Sequence, residues 1–224
     1  INVTRSYEGL ESKTAITISG GHIRLKCDDD AINAGTNLIV NNGYIFADCN
    51  GDGLDSNGNM TIDGGTVIVF AGDTANGPID IGDRGGSFVI NGGTVIAAGG
   101  NMGISVSASS KQYAMWIASR LAANTIVNIS AQNKVELTTF SLMHNSALVF
   151  YSSEHLTANS VYTVNTGGSH SGKLTDGVYA KGAYSGGTAL GNIMMSSKTV
   201  SLGNAGTDGW NDSGPGEGGE RPPR

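Results

Sequence analysis

Short runs of alternating apolar and polar residues recur along the first hundred positions, each broken by a Gly-Gly or Asn-Gly pair. Ile16 to Leu25, Leu38 to Ala47, Met60 to Val69 and Phe88 to Ala97 are four copies of one pattern. Marked by Gly20, Asn42, Gly64 and Gly92, the copies step by 22, 22 and 28 residues. The six extra residues of the last step lie around Asn76 to Arg84. Alternation at period two predicts strands, and the glycine pairs predict tight corners. A unit of this size with no helix cannot bury its apolar side alone, so successive units must stack into a parallel β-solenoid with one continuous core.

The alternation also assigns the faces. Ile18, Ile23, Leu25 and Cys27, then Val40, Ile45, Ala47 and Cys49, then Ile62, Val67, Val69 and Ala71 point inward, as do Ile90, Val95 and Ala97. Cys27 and Cys49 share a column, about 4.8 Å apart in an in-register stack. Parallel side-chain vectors suit a bridge poorly, so the expectation is two free thiols packed as small hydrophobes. Outward positions bring Tyr44, Phe46, Ile68, Phe70 and Ile96 into one apolar strip. Such a strip is either covered by other chain, for which Tyr113 to Ala118 or the C-terminal region are the candidates, or open for binding. Lys26 beside Asp48 predicts a cross-strand pair.

With the register fixed, three loops superpose: Ser6 to Ser12, Asp28 to Ala34 and Asn50 to Ser56. Gly77 to Asp80 joins them if the extra residues divide on both sides of it. One column then reads Glu8, Asp30, Asp52, and another Glu11, Asn33, Asp55, Asp80. Two unit charges about 4.8 Å apart repel by about 3.5 kcal/mol at an effective dielectric near 20. Several such pairs rival the whole stability of a domain. Either some carboxylates are protonated or a cation sits among them. A hard ion that accepts carboxylate, amide and backbone oxygen together is calcium. Turn-forming Asp, Asn and Gly on a solvated edge is the alternative. Asp48 to Gly53 also matches the first half of an EF-hand loop, but Asn59 stands where that loop needs Glu and no helices flank it.

Composition narrows the partners. The chain has 224 residues, a formal charge of −6 and only 14% charged residues, with no basic cluster for nucleic acid or an anionic membrane. No apolar run is long enough to span a bilayer. Glycine at 35 residues with 4 prolines and no triplet period excludes collagen and argues against a helical bundle. Past Ser110 the period fades. Thr125 to Ile129, Lys134 to Phe140, Ala147 to Ser152 and Ser160 to Val164 still alternate as strands. The stretch from Gly167 to Gly191 reads as loops and short strands packed on the solenoid end. One domain over 1–203 is expected, with regular coils over 5–110 and a β-rich part over 111–203. The stretch 204–224, rich in Gly and Pro and containing Trp210, reads as a linker or disordered tail.

The motifs Tyr7-Glu8-Gly9-Leu10-Glu11, Asp29-Asp30-Ala31-Ile32-Asn33 and Gly51-Asp52-Gly53-Leu54-Asp55-Ser56-Asn57-Gly58 closely resemble a bacterial family of carbohydrate-binding β-helix domains. So do Ser152-Ser153, Leu156, Tyr162-Thr163-Val164 and Gly167-Gly168. The resemblance runs from about residue 5 to about residue 202. It implies an all-β, right-handed parallel β-helix similar to pectate lyases, secreted or on the cell surface. It also implies calcium between coils and binding to plant polysaccharide such as polygalacturonate or cellulose. On this reading Glu8, Glu11, Asp28, Asp30, Asn33, Asp52, Asp55 and Asp80 are the candidate calcium ligands. Tyr44, Phe46, Phe70 and Arg84 are candidate carbohydrate contacts. The chain is expected as a monomer or as part of a larger surface protein.

Two other functions compete with non-catalytic binding. A polyuronate lyase would pair calcium with a basic residue, for which Arg84 beside Asp80 and Asp83 is the candidate; in an Asp-Gly loop an arginine is more often an ion-pair partner. A structural adhesin domain is the other. The four histidines are scattered and no G-x-S-x-G elbow exists, so no nucleophile is assembled with a base.

Overall fold

The computed structural model describes residues 1–72, 76–82, 85–100 and 104–203, so Arg84 and the stretch 204–224 with Trp210 lie outside the described residues. Among the described residues every regular element is a strand and none is a helix. The N-terminal half is a β-solenoid of about 4 turns with about 22 residues per coil. Each coil carries three strands, as in the second: His22–Cys27, Ile32–Ala34 and Asn37–Val40. The third repeats it with Tyr44–Cys49, Leu54–Ser56 and Asn59–Ile62. Stacking is parallel and in register, with Ile23 opposite Ile45, Leu25 opposite Ala47 and Cys27 opposite Cys49.

The fourth coil keeps this register despite its extra residues. Phe70 pairs with Asp48, Ile79 with Leu54 and Phe88 with Met60, offsets of 22, 25 and 28 residues. The excess is thus divided into two insertions of three, one before and one after Ile79–Ile81. That division keeps Asp80 in line with the acidic residues of earlier coils. The interior is continuous and apolar: Leu25, Ile32, Leu38, Ile45, Leu54 and Met60 are fully enclosed. Both cysteines are buried and free, as their parallel vectors predict.

One strand of each coil joins an eight-stranded sheet, which runs past the last coil. Thr94–Gly99 pairs antiparallel with Ser146–Ser153, which pairs with Ala114–Leu121, and that with Thr199–Leu202. Alternation in these added strands serves two cores. Trp116 and Phe150 face inward, with ring centroids 4.8 Å apart, and close the open end of the solenoid. Met115, Ile117, Val149 and Tyr151 face outward.

That outward side carries the predicted apolar strip, and it is covered. A six-stranded antiparallel sheet lies over it, in the order Lys173–Thr175, Val178–Ala180, Glu136–Ser141, Ile126–Ala131, Val161–Thr166, Thr188–Met194. Val127, Ile129, Phe140, Val164 and Ile193 pack on Ile68, Phe70 and Ile96. Each such side chain contributes about 1.5–3 kcal/mol by leaving water. Two expectations are corrected here. Tyr113 to Ala118 does not lie over the strip but lengthens the sheet that bears it. Between Gly167 and Gly191, Lys173–Thr175 and Val178–Ala180 join the cover on the side of the solenoid while Ser169–His170 and Tyr184–Ser185 form a two-stranded sheet of their own; Trp116 and Phe150, not they, seal the end.

The edge of the cover is fastened by polar contacts. Lys173–Thr175 and Val178–Ala180 are joined by Asp176-Gly177, both with positive φ (51° and 78°), the two-residue hairpin turn that matches strand twist. Gly177 rests on the Phe70 ring so closely that an added Cβ would lie 2.5 Å from it. Beside it, the Asp176 carboxylate accepts a hydrogen bond from Arg24 Nη1 and one from the Tyr44 hydroxyl at 2.6 Å. Further along, His144 Nε2 meets Asp48 Oδ1 at 2.6 Å, and Lys26 Nζ lies 3.3 Å from the other Asp48 oxygen.

Candidate functional site

The loops between the eight-stranded sheet and the short strands of the next face stack as the spacing predicts. Gly9 N donates to Asp30 O and Ala31 N to Asp52 O, both at 2.9 Å, placing Glu8, Asp30 and Asp52 in one column. Gly53 N donates to Gly77 O at 3.0 Å, so the fourth member of that column is Gly77. The next column follows from the strand pairs: Glu11 opposite Asn33, Asn33 opposite Asp55 and Asp55 opposite Asp80. Seven of the eight sequence-predicted ligands therefore stand on one face in two adjacent columns.

The eighth, Asp28, is directed elsewhere. Its carboxylate receives Arg5 Nε at 3.4 Å on the exposed outer edge. Asp29 turns to the cluster instead, a residue that counting columns did not select. Asp29 is tied to both neighbouring coils, since Asp29 N donates to Tyr7 O and Gly51 N to Asp29 O. A Cβ built on Gly51 would lie 2.5 Å from Asp30 Oδ1 and 2.7 Å from Asp29 Oδ1. The two carboxylates thus converge over a residue that has no side chain. The signal was present in the sequence: a glycine stacked on an aspartate leaves room for the acid of the neighbouring coil.

The electrostatics reflect that crowding. Burial pushes the Asp52 carboxyl up to about 7; the Gly77 N–H, donating to its Oδ1 at 2.5 Å, opposes this, and Asp80, Asp30 and Asp29 add to it. Asp30 is also raised, chiefly by burial and then by Asp29. It is held back by Asp52 N donating to its Oδ1 at 2.7 Å and by the Asn33 amide donating to its Oδ2 at 3.1 Å. Asp29, Asp30, Asp52 and Asp80 therefore act on one another through a half-buried space, where like charges are costly. The groups on offer are carboxylate and amide oxygens with a soft sulfur only behind them, where the buried Cys49 donates to Asp52 O at 3.4 Å. Among the described residues no three His, Cys, Asp or Glu side chains are grouped so as to hold a metal by themselves. Any cation here would draw on Asn33 and on backbone oxygens as well.

Asp48, in the loop that resembles half an EF-hand, faces outward to His144 and Lys26 and takes no part in the cluster; His144 holds its carboxyl below the usual range. The aromatic candidates fare differently. Phe70 is fully enclosed beneath the cover and offers no face to a sugar, which corrects its assignment as a carbohydrate contact. Tyr44 and Phe46 are half-buried at the rim, with the guanidinium of Arg24 5.9 Å from both ring centroids. Arg84 lies outside the described residues. Tyr7, 69% accessible, lies in the first acidic loop, where its backbone oxygen accepts from Asp29 N, and it was assigned no role from the sequence.

Residues 1–53 match a family model described as "Carbohydrate-binding domain-containing protein". The matched stretch takes in Tyr7, Asp29, Asp30, Gly51 and Asp52. No curated protein and no solved structure matches the chain.

Proposed function

We propose that this chain is a non-catalytic module that binds acidic plant cell-wall polysaccharide such as polygalacturonate, with calcium held on its acidic loop face. The observation that carries this reading is the convergence of Asp29 and Asp30 over Gly51, with Asp52 and Asp80 acting on the same half-buried space. An all-oxygen set of carboxylates, an amide and nearby backbone carbonyls is the chemistry that calcium accepts. Asp29, Asp30 and Asp52 would hold the ion, and Asp80, Asp55, Asn33 and Glu11 would supply the neighbouring column. Bound calcium supplies positive charge that neutralises the repulsion among these residues.

The same charge answers a second difficulty. A chain of net charge −6 repels a polyuronate, and a cation shared between protein and sugar carboxylates removes that barrier. Tyr7, in the first acidic loop, has most of its side chain in solvent, a surface on which a pyranose can stack. Secretion or display on a bacterial cell surface fits such a partner. The test is a melt of chelator-treated protein with and without calcium, followed by titration with polygalacturonate under both conditions. Calcium should raise Tm by several degrees and polygalacturonate should bind only in its presence, more weakly in Tyr7→Ala. An unchanged Tm would reduce the columns to turn chemistry, and unsaturated product absorbing in the ultraviolet would show a lyase instead.

A further inference from the structure

One corner of the solenoid departs from the rule of the others. In the turns that follow Ile16–Ile18, Asn37–Val40, Asn59–Ile62 and Phe88–Ile90, the marker residue is Gly20, Asn42, Gly64 and Gly92 in turn. The shape of the corner does not call for asparagine, since Gly64 and Gly92 turn equivalent corners and, like Asn42, have no positive φ. What Asn42 brings is a carboxamide directly before a glycine, on a corner exposed to water.

The stack holds the backbone around it. Asn41 N donates to Ile18 O at 2.8 Å and Tyr44 N to Gly21 O at 2.9 Å, while Gly43 O accepts from Thr66 N at 2.8 Å. Gly43 N stands outside that ladder and donates to Asn42 Oδ1 at 2.7 Å. A C=O bond is about 1.2 Å long, so Asn42 Cγ lies within about 4 Å of Gly43 N. A nitrogen held this near an amide carbon is poised to close a five-membered imide. Gly43 has no side chain to obstruct the closure, and its φ of 116° suits glycine alone.

The other Asn-Gly pairs among the described residues are tied differently. Gly51 N donates to Asp29 O at 3.1 Å and Gly77 N to Asp52 Oδ1 at 2.5 Å, so both nitrogens are turned to a neighbouring coil. The Asn91 amide donates to Asp63 Oδ1 at 2.8 Å. After Asn57, Gly58 is packed so hard on the second coil that an added Cβ would lie 2.1 Å from Thr36 O.

We propose that Asn42 is a site of spontaneous covalent modification, at which the corner converts to aspartate and isoaspartate. Gly43 N gives its proton to solvent base and bonds to Asn42 Cγ. The bond from Cγ to the amide nitrogen breaks, and that nitrogen leaves as ammonia. Water then opens the imide at either carbonyl, so the net change consumes water and releases ammonia, with nothing oxidised or reduced. Opening at the backbone carbonyl leaves isoaspartate, which lengthens the main chain by a carbon just before Tyr44. The Tyr44 ring lies 4.5 Å from that of His22, and its hydroxyl donates to Asp176, so the change reaches the rim where the cover is fastened.

The experiment is storage of the full chain at 37 °C and pH 8, folded and in urea, with peptide mapping by a mass-spectrometric fragmentation that separates isoaspartate from aspartate. In the folded chain Asn42 should convert about tenfold faster than Asn50, Asn57, Asn76 or Asn91. In urea the rates should converge, because only the fold tells these pairs apart. Higher pH should speed the reaction, since the attacking nitrogen must first lose its proton. Asn42→Gly restores the residue of the other corners, so it should fold with Tm nearly unchanged and yield no isoaspartate at this position. An Asn42 that stays intact, or equal rates at all of these pairs in the folded chain, would overturn the proposal.

Discussion

The two halves of this molecule are both β, yet different rules build them. In the solenoid half every strand pairs parallel with its equivalent one coil away, so a single period places each residue, and a column of side chains is a column in sequence. In the cover half the strands pair antiparallel and out of chain order. Glu136–Ser141 lies between Val178–Ala180 and Ile126–Ala131, so a residue's neighbours come from unrelated parts of the chain. The first arrangement concentrates like side chains, which is how carboxylates from several coils come to share one face. The second brings unlike groups together, as where Glu136 accepts from Thr139 Oγ1, His170 Nε2 and Tyr184 N. Repetition makes charge clusters, and antiparallel return makes mixed ones.

The most forceful way to break this comparison is to separate the halves. Phe70 belongs to the solenoid by sequence and to the cover by contact. Phe70→Ala should cost about 3–5 kcal/mol, read as a lowered denaturant midpoint. Because the Phe70 ring packs under the cover while the acidic side chains stand in the loops beyond that sheet, calcium affinity measured in the folded variant should change little. A large loss of calcium binding at unchanged stability would mean that the halves are not separable in this way.

A second effect should follow from Asp52. Its carboxyl is pushed up to about 7 in the folded chain, above its ordinary 3.8, so folding favours the protonated form. That contribution is complete below about 4 and is lost as pH rises through 7. Asp30, also raised, acts in the same direction, whereas Asp48, held down by His144, matters only in stronger acid. In chelator, Tm should therefore fall by roughly 5 °C or more between pH 4.5 and pH 8. Calcium should flatten the curve, and so should Asp52→Asn without calcium. A chelated protein that gains stability over that range would contradict the repulsion assigned to this face.

How much of this was legible beforehand follows the same division. The alternation around Gly20, Asn42, Gly64 and Gly92 gave coil, register and inward residues, down to the stacked cysteines, because each depends only on the neighbouring repeat. Six extra residues near Asn76 did not hide Asp80 once they were divided equally. The cover was legible only as separate strands, since nothing local says that Val164 will lie over Ile68. Asp176-Gly177 between two short runs was a readable hairpin signal that the glycine-rich surroundings obscured. Phe70 was misread for a related reason: an outward ring in a solenoid looks solvent-exposed until a distant sheet is laid on it.

The hairpin also sets the next test. Asp176 is nearly buried and holds both Arg24 and Tyr44, and burial with the adjacent Asp176 charge pushes the Tyr44 hydroxyl well above its ordinary value. Asp176→Asn keeps the turn but removes the charge that both donors meet. The loss should be about 1.5–3 kcal/mol, the range for hydrogen bonds to a charged group. Hydrogen exchange should quicken first in Lys173–Thr175 and Val178–Ala180, before the coils are affected. Uniform quickening across both halves would show that the clamp and the solenoid unfold as one unit.

The smallest effect separates two neighbours of identical type. Asp28 and Asp29 differ by one position in a loop, and in a β-stack one position reverses the side on which a side chain lies. Asp28 meets Arg5 across an edge where both side chains are at least half exposed. An exposed ion pair of that kind is worth at most about 1 kcal/mol, so Asp28→Asn should leave Tm nearly unchanged and calcium affinity within about twofold. Asp29 has its oxygen over Gly51 beside that of Asp30. Asp29→Asn should lower calcium affinity about tenfold, since one ligand charge is removed from a site whose strength depends on charge count. Isothermal titration of the two variants with calcium distinguishes them directly. Equal affinities would place the ion in the Asn33, Asp55 and Asp80 column instead.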